Sequence, residues 1–298
     1  MRNLPASAEA AQLWPLLLDA ARHARGSPAP AAQRFAAPGA TLDWHPAQGW
    51  QLDCADDAAR AFIQLHLPLC ATPGPRPFTV GQLGQSLDGC IATATGQSAF
   101  VTGEENLDHL HRLRALADAV IVGAGTVAAD NPRLTTRRVP GPNPLRVVLD
   151  PRRRLAAHHG VFSDGAAPTL LVCADELAQE ARVGQAEVLG LRCREGVLDR
   201  AAVLAALHSR GCTVALVEGG GVTVSGFLEA GLLDRLHLAI APVIIGDGRR
   251  GLQAPAGLPL DRCPRPKHEL YRMGGDVLYD CELSAIGGTA GGTASRSA

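Results

Sequence analysis

Glu218-Gly219-Gly220-Gly221-Val222-Thr223-Val224-Ser225-Gly226 is the stretch on which the fold turns. Ahead of it, Cys212-Thr213-Val214-Ala215-Leu216-Val217 is a short apolar run that reads as a buried strand. Behind it the spacing predicts a short helix, with Phe227 and Leu228 inward and Gly231 at the C′ position. Strand, glycines and helix start, in that order, leave backbone N–H groups unpaired at a helix N-terminus, an anion site suited to phosphate. Glu218, at the carboxyl end of the strand, would face whatever lies beside that anion. The glycines alone also fit a plain tight turn with a solvated glutamate, so the rest of the chain has to decide.

Outward from this stretch, short strands alternate with helices. Strands are expected at Phe78 to Leu83, Ala119 to Gly123, Leu145 to Leu149, Leu170 to Cys173 and Arg235 to Ile245. His268 to Arg272 and Val277 to Leu283 flank Met273-Gly274-Gly275-Asp276 as a closing hairpin. Thr102-Gly103-Glu104-Glu105 reads as a capping box that opens a helix to about Ala117, with Leu107, Leu110, Leu113 and Leu116 as its buried stripe. A further helix, near Leu198 to Ser209, stops at Gly211. The expectation is an α/β fold, a mixed sheet flanked by helices.

Ahead of this region, Ser7 to Arg25 reads as an amphipathic helix, with Leu13, Trp14, Leu17 and Leu18 toward a core. A hairpin at Trp44 to Leu52 and a helix carrying Ala59, Phe62, Ile63 and His66 follow. Pro68, Pro73, Pro75 and Pro77 interrupt regular structure. The expected division is 1–76 as an N-terminal leader of unassigned role, 77–285 as the main domain and 286–298 as a disordered Gly/Ser/Thr/Ala-rich tail. The leader is too short to bury much core alone.

A net charge of −1, with both signs interleaved, gives no bulk field for nucleic acid or an anionic membrane surface. The 8 cysteines show no C-x-x-C pair and read as small core residues in a reducing compartment. The apolar run Leu13 to Leu18 is too short for a signal peptide or a membrane span, and a cytoplasmic protein is expected. His109 and His111, two apart on a helix, point to different sides, and no metal is expected.

Gly123-Ala124-Gly125-Thr126-Val127-Ala128 follows a strand and fits a dinucleotide fingerprint, with Asp150 ending the next strand. Pro132, Pro140, Pro142 and Pro144 leave room for only about two helical turns before that strand, too few for a Rossmann crossover. The better reading is a short helix and a long functional loop, with Thr126 and Asp130 displayed to a ligand. Arg133, Arg137, Arg138, Arg152, Arg153 and Arg154 flank this helix and favour a phosphorylated ligand over a merely solvated basic surface.

Several motifs now stand in order: Pro77-Phe78, Ser86-Leu87-Asp88-Gly89-x-Ile91-Ala92, Gly96-x-Ser98, Gly123-x-Gly125-Thr126-Val127, Ala129-Asp130-Asn131-Pro132-x-Leu134-Thr135 and Glu218-Gly219-Gly220. Together they resemble the reductase domain of the riboflavin-biosynthesis deaminase/reductase family, over about Pro77 to Leu283. The resemblance implies a dihydrofolate-reductase-like fold, a homodimer, and NADPH-dependent reduction of a phosphoribosylamino-pyrimidine to its ribitylamino form. It places the cofactor at Gly84, Phe100, Thr126, Asp130 and the loop Gly220, Gly221, Val222, Thr223, Val224, Ser225 and Gly226. It places the substrate at Ser98, Arg114, Leu134, Arg137 and Glu218, with Glu218 and Gln82 as the catalytic pair. Arg152 to Arg154 are expected to reach the 2′-phosphate of NADPH.

Two departures stand out. Gln82 occupies a position where the family has Lys, and Phe100 one where it has Trp. The zinc deaminase signature of the family's bifunctional members, H-x-E with P-C-x-x-C, is absent from residues 1–76, which implies a stand-alone reductase. Two rivals stay open: the same fold and cofactor on another pterin- or pyrimidine-like substrate, and a nucleotide-binding protein without turnover.

Overall fold

The computed structural model describes residues 1–26, 31–98, 101–253 and 259–283. Phe100 and the tail expected at 286–298 lie outside these. An 11-stranded mixed sheet runs through the molecule. From one edge its strands are Arg2–Asn3, Lys267–Met273, Asp276–Glu282, Arg235–Ala241, Phe78–Ser86, Val214–Glu218, Ala119–Gly123, Leu145–Leu149, Thr169–Ala174, Ala186–Leu191 and Arg182–Val183. The run from Arg235–Ala241 to Ala186–Leu191 is parallel. The closing hairpin is antiparallel to it and makes the sheet mixed, as expected. The helices are α1 (Ser7–Ala24), α2 (Asp57–His66), α3 (Glu104–Leu116), α4 (Ala124–Asp130), α5 (Gly160–Ser163), α6 (Arg200–Ser209) and α7 (Gly221–Glu229).

Alternation along the central strands decides what each face carries. Val80, Val120, Val148 and Leu216 pack on one face with Leu113 and Leu116 of α3. Ile121, Val147, Ala215 and Val217 pack on the other with Leu204 and Leu207 of α6 and Phe227 of α7. The same parity sends Gln82 and Glu218 to the α3 face, and parallel pairing sets the two in register.

The leader covers this face. Leu13, Trp14 and Leu17 of α1 and Phe62 and Ile63 of α2 belong to one apolar cluster with Leu113, Val120 and Leu216. Too small to form a core of its own, the leader uses the sheet as its second layer. Trp14 donates from Nε1 to the Pro140 carbonyl at 2.7 Å, and Arg25 pairs with Asp118 at 2.7 Å. A three-stranded antiparallel sheet, Gln33–Ala37, Ala40–His45 and Gly49–Cys54, extends the expected hairpin by one strand.

A buried histidine chain also joins leader to sheet. His66 Nδ1 lies 2.8 Å from the Phe62 carbonyl and its Nε2 lies 3.2 Å from His109 Nδ1. His109 Nε2 lies 3.0 Å from His237 Nδ1, and His237 Nε2 faces Asp280 at 3.2 Å. Burial, reinforced by Arg112, pushes the His66 pKa down to about 3; burial and His237 hold His109 well below its ordinary value. His109→Ala strips a partner from each flanking ring and leaves a ring-sized void. It should cost about 2–4 kcal/mol, read from the urea midpoint. A loss below about 1 kcal/mol would mean that the chain adds nothing to stability.

Three local expectations are corrected. The long strand stops at Ala241 rather than Ile245, because Pro242 has no N–H for the ladder, and Ile244 turns out to solvent. The N-cap of α3 is Gly103, with no side-chain cap; its N–H donates to Asp276 Oδ2 at 2.8 Å, a contact from the far hairpin. The buried stripe of α3 is correspondingly polar, with Asn106, His109, His111 and Arg114 beside Leu113 and Leu116, while Leu107 and Leu110 stay half-buried. Gly231 does follow α7 with φ 64°, and only α4 and a loop separate Gly125 from Leu145. No described helix is long and apolar enough to cross a membrane, and no described group of three or more His, Cys, Asp or Glu is placed to hold a metal.

Candidate active site

Two strand-to-helix turns stand side by side at the carboxyl ends of neighbouring parallel strands. One runs from Gly123 into α4, the other from Glu218 through Gly219 and Gly220 into α7. Gly219 and Gly220 take positive φ, 70° and 48°, which side chains resist. The turns interlock. A Cβ on Gly220 would stand 2.8 Å from Thr126 Oγ1, and one on Gly123 would stand 2.5 Å from Thr223 Oγ1. Each threonine thus lies against the glycine of the opposite turn.

A cleft of about 620 Å3 opens over both turns, lined by Gly123 to Thr126 on one side and Gly220 to Thr223 on the other. Its far end is bounded by Leu149, Pro151, the Gly196–Leu198 turn and Arg200. A smaller chamber of about 260 Å3 adjoins it, holding Gln82, Gly84, Asn106 and Glu218. Ile91, Ser98, Thr126, Asp130 and Gly220 line both. A ligand in the cleft therefore meets a ligand in the chamber at these five residues.

Glu218 ends its strand pointing at α3, where Arg114 takes it in a bidentate grip. Arg114 Nε donates to Oε2 at 2.8 Å and Nη2 donates to Oε1. Arg114 Nη1 donates to the Thr135 carbonyl at 3.1 Å, so most of its donors are engaged within the protein. Arg137 is exposed; its Nη1 meets only Thr135 Oγ1 at 2.9 Å and, weakly, the Thr135 carbonyl at 3.4 Å. Partial desolvation of its guanidinium and the nearby Arg114 and Arg133 hold its pKa below the ordinary arginine value. That cationic crowding favours a bound anion. The Arg137 backbone N–H donates to His111 Nδ1 at 2.9 Å. Burial, then Arg114 and Arg137, bring the His111 pKa down to about 4, as suits an acceptor nitrogen.

The other expected residues divide. Ser98 Oγ donates to Asp130 Oδ1 at 3.2 Å across the shared boundary. Gly84 lines the chamber, where a Cβ would stand 2.7 Å from Thr102 Cγ2. Leu134 is buried, with φ 55°, and holds the loop after α4 without lining either space. Of the expected cofactor loop, Gly220, Gly221, Val222 and Thr223 line the cleft and the last three residues do not. Val224 is in the core, Ser225 accepts from the Gln253 N–H at 2.8 Å, and Gly226 lies under the Arg200 guanidinium. Of the three expected arginines, Arg153 is engaged by the Leu177 carbonyl and Glu180, and Arg154 is exposed and away from the cleft. Arg152 lies against Gly196 at the far end.

Arg200 and Arg249, which line the cleft without a hydrogen-bond or ion-pair partner among the described residues, were not visible as site residues in the sequence. Neither sits in a motif, and only the packing of α6 and of the Gly248–Arg250 strand brings them there. Together the cleft offers the backbone at the start of α7, two free guanidiniums, and a Gly125 whose Cβ would meet no protein atom within 4 Å. That donor set fits a phosphorylated dinucleotide.

Comparisons with known proteins bear on the same region. The RibD C-terminal domain family matches residues 77–268. The 2,5-diamino-6-ribosylamino-4(3H)-pyrimidinone 5′-phosphate reductase of Methanothermobacter thermautotrophicus is 41% identical over 178 residues, covering 57% of this chain and 80% of that protein. The riboflavin biosynthesis protein RibD of Aquifex aeolicus is 35% identical over 178 residues, covering 58% of this chain and 48% of that protein. This chain thus spans about half the length of that relative. Among solved structures, the deaminase/5-amino-6-(5-phosphoribosylamino)uracil reductase of Thermotoga maritima superposes with a TM-score of 0.61 at 26% identity, covering 76% of this chain and 61% of that one.

Proposed function

The chain belongs to the RibD C-terminal domain family, and on that footing we propose that it is an NADPH-dependent reductase converting a phosphoribosylamino-pyrimidine to its ribitylamino form. The reading assigns the reductase to residues 77–285, with 1–76 packed on it, acting as a cytoplasmic homodimer. The observation that supports it most is the pair of adjoining spaces that share Ile91, Ser98, Thr126, Asp130 and Gly220. One suits a dinucleotide, the other a small polar substrate, and their boundary is where two reacting groups would meet.

When bound, the cofactor supplies the hydride. The chain's own groups supply position and charge. Backbone N–H groups at the start of α7 hold the pyrophosphate. The Glu218 carboxylate, fixed by Arg114, accepts hydrogen bonds from the sugar or ring of the substrate, and Arg137 offers its free donors to the phosphate. The far end of the cleft, beside Arg152 and Arg200, takes the adenosine with its 2′-phosphate, because the end shared with the chamber must take the nicotinamide.

Loss of NADPH absorbance on adding the phosphoribosylamino-pyrimidine tests the function, and no turnover would end it. Gln82 favours one alternative, a related pyrimidine- or pterin-like substrate, since its neutral side chain brings no cation to the chamber. Turnover of such a compound in preference would decide for that alternative. NADPH should also bind at least about ten-fold tighter than NADH in titration calorimetry, from one charge-assisted phosphate contact. Equal affinities would remove the arginines from this role.

A further inference from the structure

Among the described residues that line the chamber, Asn106 carries a fully buried polar atom with no partner. Asn106, on α3, is 2% exposed, and its Oδ1 is buried without a hydrogen bond. Its Nδ2 donates to Thr102 Oγ1 at 2.9 Å, which fixes the side chain on one side only. Unsatisfied buried carbonyls are rare in folded proteins because each lowers stability, so this one calls for a physical reason. The residue could have been apolar: Leu107 and Leu110 of the same helix line the same chamber.

Gln82 lies across the chamber on the Phe78–Ser86 strand, 4% exposed, and its carboxamide has no hydrogen bond to any described residue. Two neutral amides therefore meet one small space, each with a free polar atom. Glu218 and the arginines serve donors and phosphate at the sugar side; the amides are of another kind. A carboxamide presents an acceptor and donors in one plane, the complement of a pyrimidinone edge that alternates N–H and C=O groups. Apolar contacts from Ile91, Leu107 and Leu110 give the ring its walls.

We propose that Asn106 is a specificity-determining residue: its carboxamide oxygen accepts a hydrogen bond from a ring or amino N–H of the bound pyrimidine, alongside Gln82. This rests on the reductase reading for the choice of substrate. The free protein then carries an unpaired acceptor that substrate satisfies, and a heterocycle without a donor there leaves it unpaired and is rejected. Thr102 and Gly84 set the position. A Cβ at Gly84 would stand 2.7 Å from Thr102 Cγ2 and 3.6 Å from Asn106 Nδ2, so the glycine leaves room for the pair.

Asn106→Leu in the full chain tests this, because stability and recognition should part. Leucine removes the unpaired buried carbonyl and, against that, one hydrogen bond to the half-buried Thr102, so the melting temperature should change little. KM for the phosphoribosylamino-pyrimidine should rise at least about ten-fold, and its calorimetric Kd with it, while NADPH affinity stays within about two-fold. Should the leucine variant fail to fold, Asn106→Ala carries the same expectation for KM and Kd. A folded variant with unchanged KM and Kd would overturn the proposal. Native protein that binds the pyrimidine without reducing it would end the reductase reading, and the Kd comparison would still judge Asn106. Native protein that does not bind it at all would end both.

Discussion

Glu218→Gln is expected to lower kcat/KM by roughly 30- to 1000-fold, or about 2–4 kcal/mol, while leaving NADPH affinity within about two-fold. The carboxylate does two things at once. It takes two donors from Arg114, and on the proposed reading it keeps lone pairs for the substrate. A carboxamide has one oxygen for both tasks and turns an N–H₂ toward the Arg114 guanidinium. The buried cation then loses half of its grip, since only the Thr135 carbonyl remains as a second partner. Breaking a pair with side chains 6% and 10% exposed also costs stability, about 3–5 kcal/mol in comparable buried pairs. Kinetics are therefore to be compared well below the variant's own melting temperature. The cleft should not register the change, because the groups proposed to hold the pyrophosphate are backbone N–H at Gly221 and Val222, the Thr223 N–H being taken by the Gly220 carbonyl at 2.9 Å. Full activity in a folded Glu218→Gln protein would remove Glu218 from the site.

What could be read in advance was local. The strand, glycine turn and short helix at 212–231 and again at 119–130 have period, breakers and length within a dozen residues, and both formed. The residues of the site could be named, but not their pairing. Arg114 and Glu218 are 104 positions apart, and no local pattern says that one grips the other. The α3 stripe failed for the same reason. Its leucines promised an apolar face, yet the face holds Asn106, His109 and Arg114, whose partners come from α2, from Glu218 and from His237. In sequence Thr102 reads as a cap, because Ser or Thr followed by Glu is a helix-start signal. A hairpin aspartate, Asp276, took that task and left Thr102 free to hold Asn106. The leader's role was hidden too, since an amphipathic helix shows which face is apolar but not what covers it.

The glycines of the cleft look alike in the sequence, but two of them should respond differently to alanine. At Gly221 a Cβ would stand 2.1 Å from the Gly251 carbonyl oxygen and 2.6 Å from that of Arg250. These are backbone atoms and cannot rotate away, so either α7 or the segment after Gly248–Arg250 must shift. Overpacking of this kind costs about 1–3 kcal/mol. The displaced turn should also weaken NADPH by at least about ten-fold, for the N–H groups proposed to hold the pyrophosphate move with it. At Gly125 a Cβ would meet nothing within 4 Å, and φ is not positive. Nothing in the folded chain requires glycine there, and alanine is the better helix former by about 1 kcal/mol. Gly125→Ala should therefore melt at the same temperature or higher. Its methyl group would enter the cleft where the proposed cofactor lies, so NADPH affinity should again fall at least about ten-fold. Thermal melts and calorimetry on the two variants separate a glycine kept for packing from one kept for a ligand. If Gly125→Ala binds NADPH as the native protein does, the dinucleotide does not lie against α4, and its placement in the cleft is wrong.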